Sequence, residues 1–503
     1  MKNKLPILAI FFALLFSNLS LVSISSGRYN SYSNISEGDI VYQILTDRFF
    51  DGNPSNNDLG HGEYKPGNLK FYQGGDWQGI ISKIGYIKDL GVTAVWISPV
   101  LENEDLSRNG DAANYHGYST RDFYSLNPHF GSKADLNHLV SACHSQGIKV
   151  IIDIVPNHSA DYLAPSDEEY DPKDYCPAPP FNDPSWYHHY GDITDWSNQW
   201  QLENKDVFGL DDLDQEKPEV ANEICKAYRD LVVESGANGA RVDCSKHMPK
   251  SFLSQLEASI GRPTIGEVYN SYAPYVAGYQ NFEWGVTDYP LYYAIDEVFA
   301  KGGGCYKLRD ILNQDSLYPH PNRLLTFVDN HDQMRFLGRA GYNTGSLKLA
   351  LTFMMTLRGI PCIYYGTEQG YAGMGSVDHQ NRENLRDWNQ YHDIYLFIKK
   401  LASIRKGHSA LYQGKYYEMW VDNQAFSYLM KDGRDEVITI LNNGNTEQTL
   451  TIPIRTESGL SAGTTLVNQL NPTDRATIEQ GGVTGRQITV GLSAKEPKVY
   501  TPA

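Results

Sequence analysis

Short apolar runs alternate with amphipathic stretches along most of this 503-residue chain. Eight of the apolar runs are typical of buried parallel strands, and the stretches between them repeat with helical periodicity. Strands that alternate with helices predict βαβ units and a parallel sheet, and eight of them close a (β/α)8, or TIM, barrel. The predicted strands are 38–47, 91–100, 148–155, 239–243, 263–267, 282–287, 324–329 and 359–366.

The pattern changes in two places, and each change predicts a further domain. Between 159 and 213 the periodicity disappears in a stretch rich in Pro, Asp, Tyr and Trp, so we expect a small domain inserted after the third strand, here named domain B. From 411 to 503 short strands alternate with polar turns, which predicts a C-terminal antiparallel β-sandwich. The barrel would then occupy 28–158 and 214–410.

Three acidic residues stand where predicted barrel strands end. Asp243, Glu267 and Asp332 follow three different strands, and polar side chains that converge at the C-terminal ends of parallel strands are typical of a barrel active site. One such acid alone is more often a cap or turn residue, but three on three strands favour chemistry. Arg241 shares a strand face with Asp243, where its guanidinium would hold that carboxylate ionised and oriented.

Composition narrows the function classes. The formal net charge of -17 and the pI of about 5.3 argue against nucleic-acid binding, which requires a basic face. Aromatic residues make up 12% of the chain, with 35 Tyr and 8 Trp. Such rings stack on sugars, although they also pack in cores, so this observation favours a carbohydrate ligand modestly.

The N-terminus predicts export. Two lysines lie in the first four residues, an apolar run follows from Leu5 to Phe16, and Ser-rich sequence extends to about Gly27. These features are typical of a secretory signal peptide over 1–27. A membrane anchor is the alternative, but the apolar run is short for a spanning helix and no comparable run follows. We therefore expect a secreted protein with no membrane segment after signal removal.

One loop has the composition of a site for a hard cation. Asp51–Asn57 places five oxygen-bearing side chains within seven residues on a turn, which suits calcium. An ordinary Asn/Gly/Pro turn explains the same composition equally well. Asp76, further along, is a candidate N-cap for a helix predicted to run to Leu90.

Five motifs together resemble those of the α-amylase family, glycoside hydrolase family 13, over essentially all of the chain after the signal peptide. They follow the family's order and approximate spacing, and as a set they are highly specific. The motifs are Asp153–His158, Leu210–Asp214, Gly239–His247, Gly266–Tyr269 and Phe327–Asp332.

The resemblance implies roles for the active-site residues. Asp243 would be the nucleophile, Glu267 the general acid/base, and Asp332 the carboxylate that holds sugar hydroxyls and distorts the ring. A retaining glycosidase of this kind needs one ionised and one protonated carboxyl, about 5–5.5 Å apart. The implied substrate contacts are His116, Tyr118, His158, Phe208, Arg241, Lys246, His247, His331, Asp378 and Arg382.

The resemblance also implies calcium as the cofactor, bound at two sites. At the first, Asn157 and Asp212 match side-chain ligands and His247 matches a backbone carbonyl ligand, so the ion would tie domain B to the barrel. The second belongs to the cyclodextrin glucanotransferases, the subgroup that the chain is most similar to. The residues that match this second site are Asp51, Asn53, Asn56, Asn57, Gly74 and Asp76.

Two activities share this chemistry, and the sequence leaves both open. The first is a secreted, calcium-dependent α-amylase that cuts internal α-1,4-glucosidic bonds of starch or glycogen with retention. The chain ends at Ala503, without the two further domains usual in the glucanotransferases, which favours this hydrolase. The second is a glucanotransferase-type transglycosylase, favoured by Phe208, which aligns with the aromatic residue that glucan wraps around in that subgroup.

A third class of function is a barrel that binds glucan without catalysis. Such a protein should have lost one of the three acids, and Asp243, Glu267 and Asp332 are all present. The expected partner is therefore an α-glucan substrate, with no nucleic acid, and the architecture predicts a monomer.

Overall fold

The computed structural model describes residues 33–163, 176–373 and 380–503. The signal peptide predicted over 1–27 and the predicted sugar contact Asp378 lie outside these ranges. Within them, a closed barrel of eight parallel strands is accompanied by antiparallel sheets, so the predicted fold class is confirmed.

Each barrel strand is short and buried along its whole length. The strands are β1 (Val41–Ile44), β2 (Ala94–Ile97), β3 (Lys149–Ile154), β4 (Gly239–Val242), β5 (Thr264–Gly266), β6 (Gly285–Thr287), β7 (Leu324–Phe327) and β8 (Ile360–Tyr364). They are hydrogen-bonded in the closed order β1-β8-β7-β6-β5-β4-β3-β2. Because both faces of such strands are covered, their sequences are largely apolar rather than alternating.

Helices separate the strands along the chain. The described α-helices are α1 (Thr46–Phe49), α2 (Trp77–Ser82), α3 (Ile84–Leu90), α4 (Lys133–Ser145), α5 (Gln199–Asn204), α6 (Pro218–Ser235), α7 (Lys250–Ile260), α8 (Ala273–Ala277), α9 (Tyr289–Ile295), α10 (Tyr306–Leu312), α11 (Phe336–Arg339), α12 (Thr344–Thr356) and α13 (Asp393–Gly407). Asp76 caps α2 by accepting a hydrogen bond from the Gly79 amide, as its position predicts. The helix predicted to run on to Leu90 is interrupted at Lys83, whose ψ of 5° departs from helical geometry.

Domain B returns to the barrel beside the point where it leaves it. Just after β3, His158 forms an isolated β-bridge with Asp212, and the Leu213 amide donates to the Asn157 carbonyl at 3.0 Å. Asn157 and Asp212 are thereby held side by side at the junction. The domain has a small core of its own, which comprises Ile193, Leu202 and Val207.

The C-terminal strands form two antiparallel sheets. They are β9 (Lys415–Val421), β10 (Ala425–Asp432), β11 (Asp435–Asn442), β12 (Gln448–Pro453), β13 (Thr465–Asn468), β14 (Arg475–Thr477), β15 (Glu479–Gln480), β16 (Arg486–Leu492) and β17 (Pro497–Pro502). The larger sheet has the order β9-β10-β11-β17-β13-β14, and the smaller one β12-β16-β15. Leu429 and Ile438 of the larger sheet pack with Ile452 and Ile488 of the smaller one, which is the core of the sandwich.

The larger sheet is also covered on its other face. Phe426, Tyr428 and Val437 alternate with the residues that face the sandwich core, and they belong to the main hydrophobic core of the barrel. Among the described residues, no helix combines the length and the hydropathy needed to cross a bilayer. All six cysteines are described and none is in a disulfide; Cys176 is exposed and Cys244 is half-buried.

Candidate active site

The centre of the site is a buried arginine that contacts three carboxylates. Asp153 on β3 and Arg241 on β4 are directly paired in the sheet register. Nη1 of Arg241 donates to Asp153 Oδ1 at 2.9 Å and to Asp243 Oδ1 at 2.7 Å, and Nη2 lies 2.9 Å from Glu267 Oε1. One rigid guanidinium therefore fixes the positions of two of the three predicted acids relative to one another.

Glu267 lies in surroundings that favour its protonated form. Burial raises the pKa of Glu267 to about 7, with Arg241 opposing the rise and the charges of Asp243 and Asp332 adding to it. Its carboxyl accepts hydrogen bonds from the Cys244 amide and the Tyr289 hydroxyl, each at 3.3 Å. Asp243 and Glu267 thus share Arg241 but differ in their other partners, which is the arrangement that separates an acid from a nucleophile.

Asp332 is held from the opposite side of the barrel rim. Nη2 of Arg382 donates to Asp332 Oδ1 at 3.2 Å, and Nε2 of His331 lies 3.1 Å from its Oδ2. Asn381 fixes the loop by donating to the carbonyl oxygens of His331 at 2.8 Å and Gln333 at 2.9 Å. One third of the Asp332 side chain remains exposed, so its carboxylate faces the cleft.

An aromatic stack forms one wall of the site. The Tyr118 ring lies parallel to His331, with centroids 5.3 Å apart, and His116 stacks beside it at 5.6 Å. The Tyr118 hydroxyl donates to Asp153 Oδ2 at 2.9 Å. Burial, together with the charges of Arg241 and Arg382, lowers the pKa of His331 well below its usual value, so this imidazole is neutral.

His158 completes that wall. Its Nε2 lies 3.1 Å from the Tyr118 carbonyl oxygen, so this nitrogen is a donor. Burial lowers the pKa of His158, although the charge of Asp243 opposes the shift. The imidazole is therefore a neutral hydrogen-bonding group at the base of the cleft.

The loops after β4 and in domain B form the other side of the cleft. Phe208 is 84% exposed and has a φ of 55°, which is uncommon for a bulky residue, and its ring lies 5.1 Å from that of Trp196. Nζ of Lys246 donates to the Tyr269 carbonyl at 3.1 Å. His247 is buried, and its Nδ1 contacts the Leu202 carbonyl at 3.0 Å, so its side chain joins α5 to the barrel rather than lining the cleft surface.

The first predicted metal position contains oxygens that lack hydrogen-bond partners. Asn157 and Asp212 are fully buried, and the Oδ1 atom of each accepts no hydrogen bond. The other Asp212 oxygen, Oδ2, lies 2.7 Å from Nδ1 of His188. A buried carboxylate oxygen without a donor is costly, and a hard cation is the partner that such oxygens fit.

The second predicted position shows the same feature in part. Oδ1 atoms of Asp51, Asn56 and Asn57 are buried and accept no hydrogen bond. By contrast, Asn53 Oδ1 accepts from Ser55, and both Asp76 oxygens accept from backbone amides. The positive φ of Gly74, 97°, and its close approach to the Asn57 side chain leave no room for a Cβ. The three oxygens without partners fit a cation.

Sequence reasoning missed several residues that the structure brings into the site. They lie within strands, in loops or at the start of α9, where an apolar or aromatic context is typical of core. Asp153 gave a detectable signal, since a carboxylate inside the apolar run of β3 needs a buried partner. Gln43, Trp96, Trp196, Tyr289 and Asn330 gave no such signal. The larger surface cavities, about 640 and 780 Å³, lie away from the three acids and contain none of them.

Comparison with known proteins identifies the family. A family model described as the alpha-amylase catalytic domain matches residues 43–392. The chain belongs to the α-amylase family. Among curated proteins, this family member is 40% identical over 473 residues to a beta/alpha-amylase of Paenibacillus polymyxa, covering 92% of the chain and 37% of that protein. It is 36% identical to a cyclomaltodextrin glucanotransferase of Niallia circulans, covering 80% of the chain and 59% of that protein.

Solved structures with the same architecture include both activities. A cyclomaltodextrin glucanotransferase described as having a three-domain ABC distribution superposes with a TM-score of 0.83 and 31% identity, covering 92% of this family member and 99% of that chain. An alpha-amylase from Anoxybacillus superposes with a TM-score of 0.81 and 30% identity, covering 93% and 98%. The first of these structures shows that a glucanotransferase can have three domains. The end of the given sequence at Ala503 therefore does not favour a hydrolase over a transferase.

Proposed function

We propose that this chain is a secreted, calcium-dependent α-amylase that hydrolyses internal α-1,4-glucosidic bonds of starch or glycogen with retention. The observation that carries the proposal is the placement of Asp243 and Glu267 on the two arms of one buried guanidinium. Retention by double displacement requires a nucleophile and an acid at a short, fixed separation, and Arg241 fixes such a pair. The signal-peptide pattern over 1–27 supports secretion.

The first half-reaction uses both carboxyls in different states. Asp243, paired through Oδ1 with Arg241, attacks the anomeric carbon of the sugar, while protonated Glu267 donates its proton to the departing glycosidic oxygen. The bond from the anomeric carbon to that oxygen breaks, and a glycosyl ester of Asp243 forms. The shortened glucan leaves with the proton that Glu267 gave it.

The second half-reaction reverses the role of Glu267. Now ionised, it takes a proton from a water molecule that attacks the anomeric carbon. The bond from that carbon to the Asp243 oxygen breaks, Asp243 leaves as a carboxylate, and the second inversion restores the original configuration of the sugar. Asp332, oriented by Arg382 and His331, would bind sugar hydroxyls more strongly as the ring distorts. The Tyr118 ring would stack beneath the reacting sugar.

Calcium would act through structure rather than chemistry. Asn157, Asp212 and the His247 carbonyl would hold the first ion, and Asp51, Asn56 and Asn57 would supply side-chain oxygens to the second. When bound, the first ion joins domain B to the β3 and β4 ends, beside the nucleophile. The buried oxygens without partners support this assignment.

Transglycosylation is a second candidate, and Phe208 is the observation that favours it. An aromatic ring that is 84% exposed at the cleft, on a strained backbone, is best explained by contact with substrate. If glucan wraps around this ring, its own 4-hydroxyl can replace water as the acceptor. A cyclic glucan would then form in place of a linear one.

Product analysis on soluble starch with calcium present tests both candidates. Linear maltooligosaccharides with a falling iodine stain are expected for the hydrolase. Cyclic products that appear early would assign the transglycosylase instead. Folded protein that yields neither would contradict both.

A further inference from the structure

Cys244, which directly follows the nucleophile, lies in a cluster of metal-ligating side chains. The thiol, the Asp243 carboxylate and the His158 imidazole each offer one ligand atom, and these atoms all lie within 4.8 Å of one another. The backbone of Cys244 is left-handed, with a φ of 54°, and the residue is half-buried, so the cluster opens to the cleft. Neither the catalytic steps nor the calcium sites use this thiol.

We propose that a thiophilic divalent cation, such as Zn²⁺ or Cd²⁺, binds between Cys244 and Asp243 with His158 as a third ligand, and thereby reversibly blocks the active site. The blocking effect rests on the proposed function, because Asp243 is the nucleophile only in that reaction. The binding itself rests on the three side chains alone.

The chemistry of the donor set decides which cation fits. Sulfur, imidazole nitrogen and a single carboxylate are the ligands of Zn²⁺ and of softer ions, whereas Ca²⁺ takes oxygen ligands only. The cluster therefore does not compete with the calcium positions for the same ion. A site with three protein ligands leaves a fourth position for water.

Asp243 already contacts the thiol with which it would share the ion. Arg241 donates to its Oδ1, and the Cys244 thiol hydrogen-bonds to the same carboxylate. His158 must give up a hydrogen bond to bind the ion. Its Nε2 contacts the Tyr118 carbonyl at 3.1 Å, and its Nδ1 contacts the Asn157 amide at 3.3 Å. Cys244 and Asp243 therefore supply the main ligands, and His158 strengthens binding by giving up one contact.

Binding requires a balanced exchange of a proton for the metal. Burial, and then the charges of Asp243 and Glu267, raise the pKa of the Cys244 thiol, so the free enzyme has S–H rather than thiolate. The cation displaces this proton to solvent: the S–H bond breaks, a sulfur–metal bond forms, and no oxidant or reductant is needed. Because the bound ion is coordinated by the Asp243 carboxylate, that carboxylate cannot attack the anomeric carbon of a sugar until the ion leaves.

The test compares Cys244→Ala with Cys176→Ala, which removes the exposed cysteine outside the cluster. Zn²⁺ is titrated into each protein with calcium in fixed excess, and starch cleavage is measured. The wild type and Cys176→Ala should be inhibited at the same Zn²⁺ concentration, and a chelator selective for zinc should restore activity. Cys244→Ala should require at least about tenfold more Zn²⁺ for the same loss of starch cleavage. Equal inhibition of Cys244→Ala and the wild type would overturn the proposal.

A second readout does not depend on activity. Co²⁺ bound to thiolate gives a ligand-to-metal charge-transfer absorption, which we expect in the wild type and in Cys176→Ala. Cys244→Ser, which keeps the size of the side chain, should lack that absorption, and this variant also serves if the alanine variant fails to fold. Absence of the absorption in the folded wild type would overturn the metal site. Its presence in protein that cleaves no glucan would refute the proposed function alone.

Discussion

Arg241 shows how one buried side chain can control the protonation of its neighbours. Its two terminal nitrogens contact Asp153, Asp243 and Glu267, while Asp153 is also held by the Trp96 indole at 3.0 Å. Replacing a buried charge that has several partners leaves those partners uncompensated, which typically costs about 3–5 kcal/mol. The acids therefore depend on Arg241 both for position and for charge.

At the residue scale, Glu267→Gln tests the acid/base assignment. The amide keeps the size of the side chain but cannot donate the proton, so kcat should fall by about 100- to 10,000-fold. Maltooligosaccharide binding, measured by calorimetry, should remain. Glu297→Gln, a partly exposed residue paired with Lys307, is the matched control and should keep its activity. Full activity in Glu267→Gln would refute the assignment.

The pH dependence follows from the same carboxyl. Glu267 must enter the first step protonated, and burial raises its pKa to about 7, so kcat/KM should decline as the pH rises through about 7. The charge of Asp332 contributes to that rise, and removing it in Asp332→Asn should move the decline in the residual activity to lower pH. Asp310→Asn, at an exposed position, is the control. An unmoved alkaline limb in Asp332→Asn would contradict the electrostatic account.

The residues that the sequence predicted and those it missed differ in physical context. Asp243, Glu267 and Asp332 follow apolar strands, so their polarity stands out against the pattern. Gln43 lies within a barrel strand, and a single amide in a buried run has no chemistry that the sequence alone can assign. The left-handed conformation of Phe208 belongs to a tight two-residue turn, in which Phe208 and Gly209 both have positive φ and the Leu210 amide donates to the Val207 carbonyl at 3.1 Å. It was not predictable, since a bulky aromatic residue is not typical of such a turn.

At the element scale, Asp212 tests the calcium proposal. A cation at Asn157 and Asp212 would satisfy two buried oxygens that otherwise lack donors, so calcium should raise Tm. A free calcium concentration of about 100 times Kd corresponds to about 2.7 kcal/mol of stabilisation of the folded state. Calorimetric scans with calcium and with chelator measure it. The rise in Tm that calcium causes should be smaller in Asp212→Asn and unchanged in Asp58→Asn, whose side chain is exposed. An equal rise in both variants would refute the first calcium site.

The loop that carries Phe208 determines the acceptor in the second candidate function. Phe208→Asn suits the φ of 55°, because Asn tolerates left-handed backbone, and it removes the exposed ring. If cyclic glucans are among the wild-type products, their share should fall at least severalfold while linear products rise. Chromatography of the products at low conversion measures this ratio. An unchanged product profile would show that the ring does not guide the chain.

Elements were predictable where a single periodicity dominated. All eight barrel strands lie inside the predicted ranges, because strands covered on both faces are largely apolar runs. The break at Lys83 was not predictable, since the apolar pattern continues through it from α2 to α3. The positions of the oxygens proposed to bind calcium required the fold, because Asn157 and Asp212 meet only when domain B returns to β3.

At the scale of the whole molecule, the C-terminal sandwich should not be separable from the barrel. Phe426, Tyr428 and Val437 belong to the barrel core, and each buried side chain of this size contributes about 1.5–3 kcal/mol. Truncation after residue 410 should therefore give aggregated or unfolded protein, and the full chain should unfold in one calorimetric transition. A control that removes only the exposed Ala503 should behave as the full chain. A soluble, active truncated barrel would contradict this.

The order of strands in the larger sheet has a consequence for biosynthesis. β17, at residues 497–502, lies between β11 and β13 in the middle of that sheet, so the sheet has a gap until this strand arrives. The barrel is synthesised first, and β17 is translated after every other strand of the sheet that it completes. Until residues 497–502 have been made, the nascent chain would therefore expose apolar surface that the complete sheet buries.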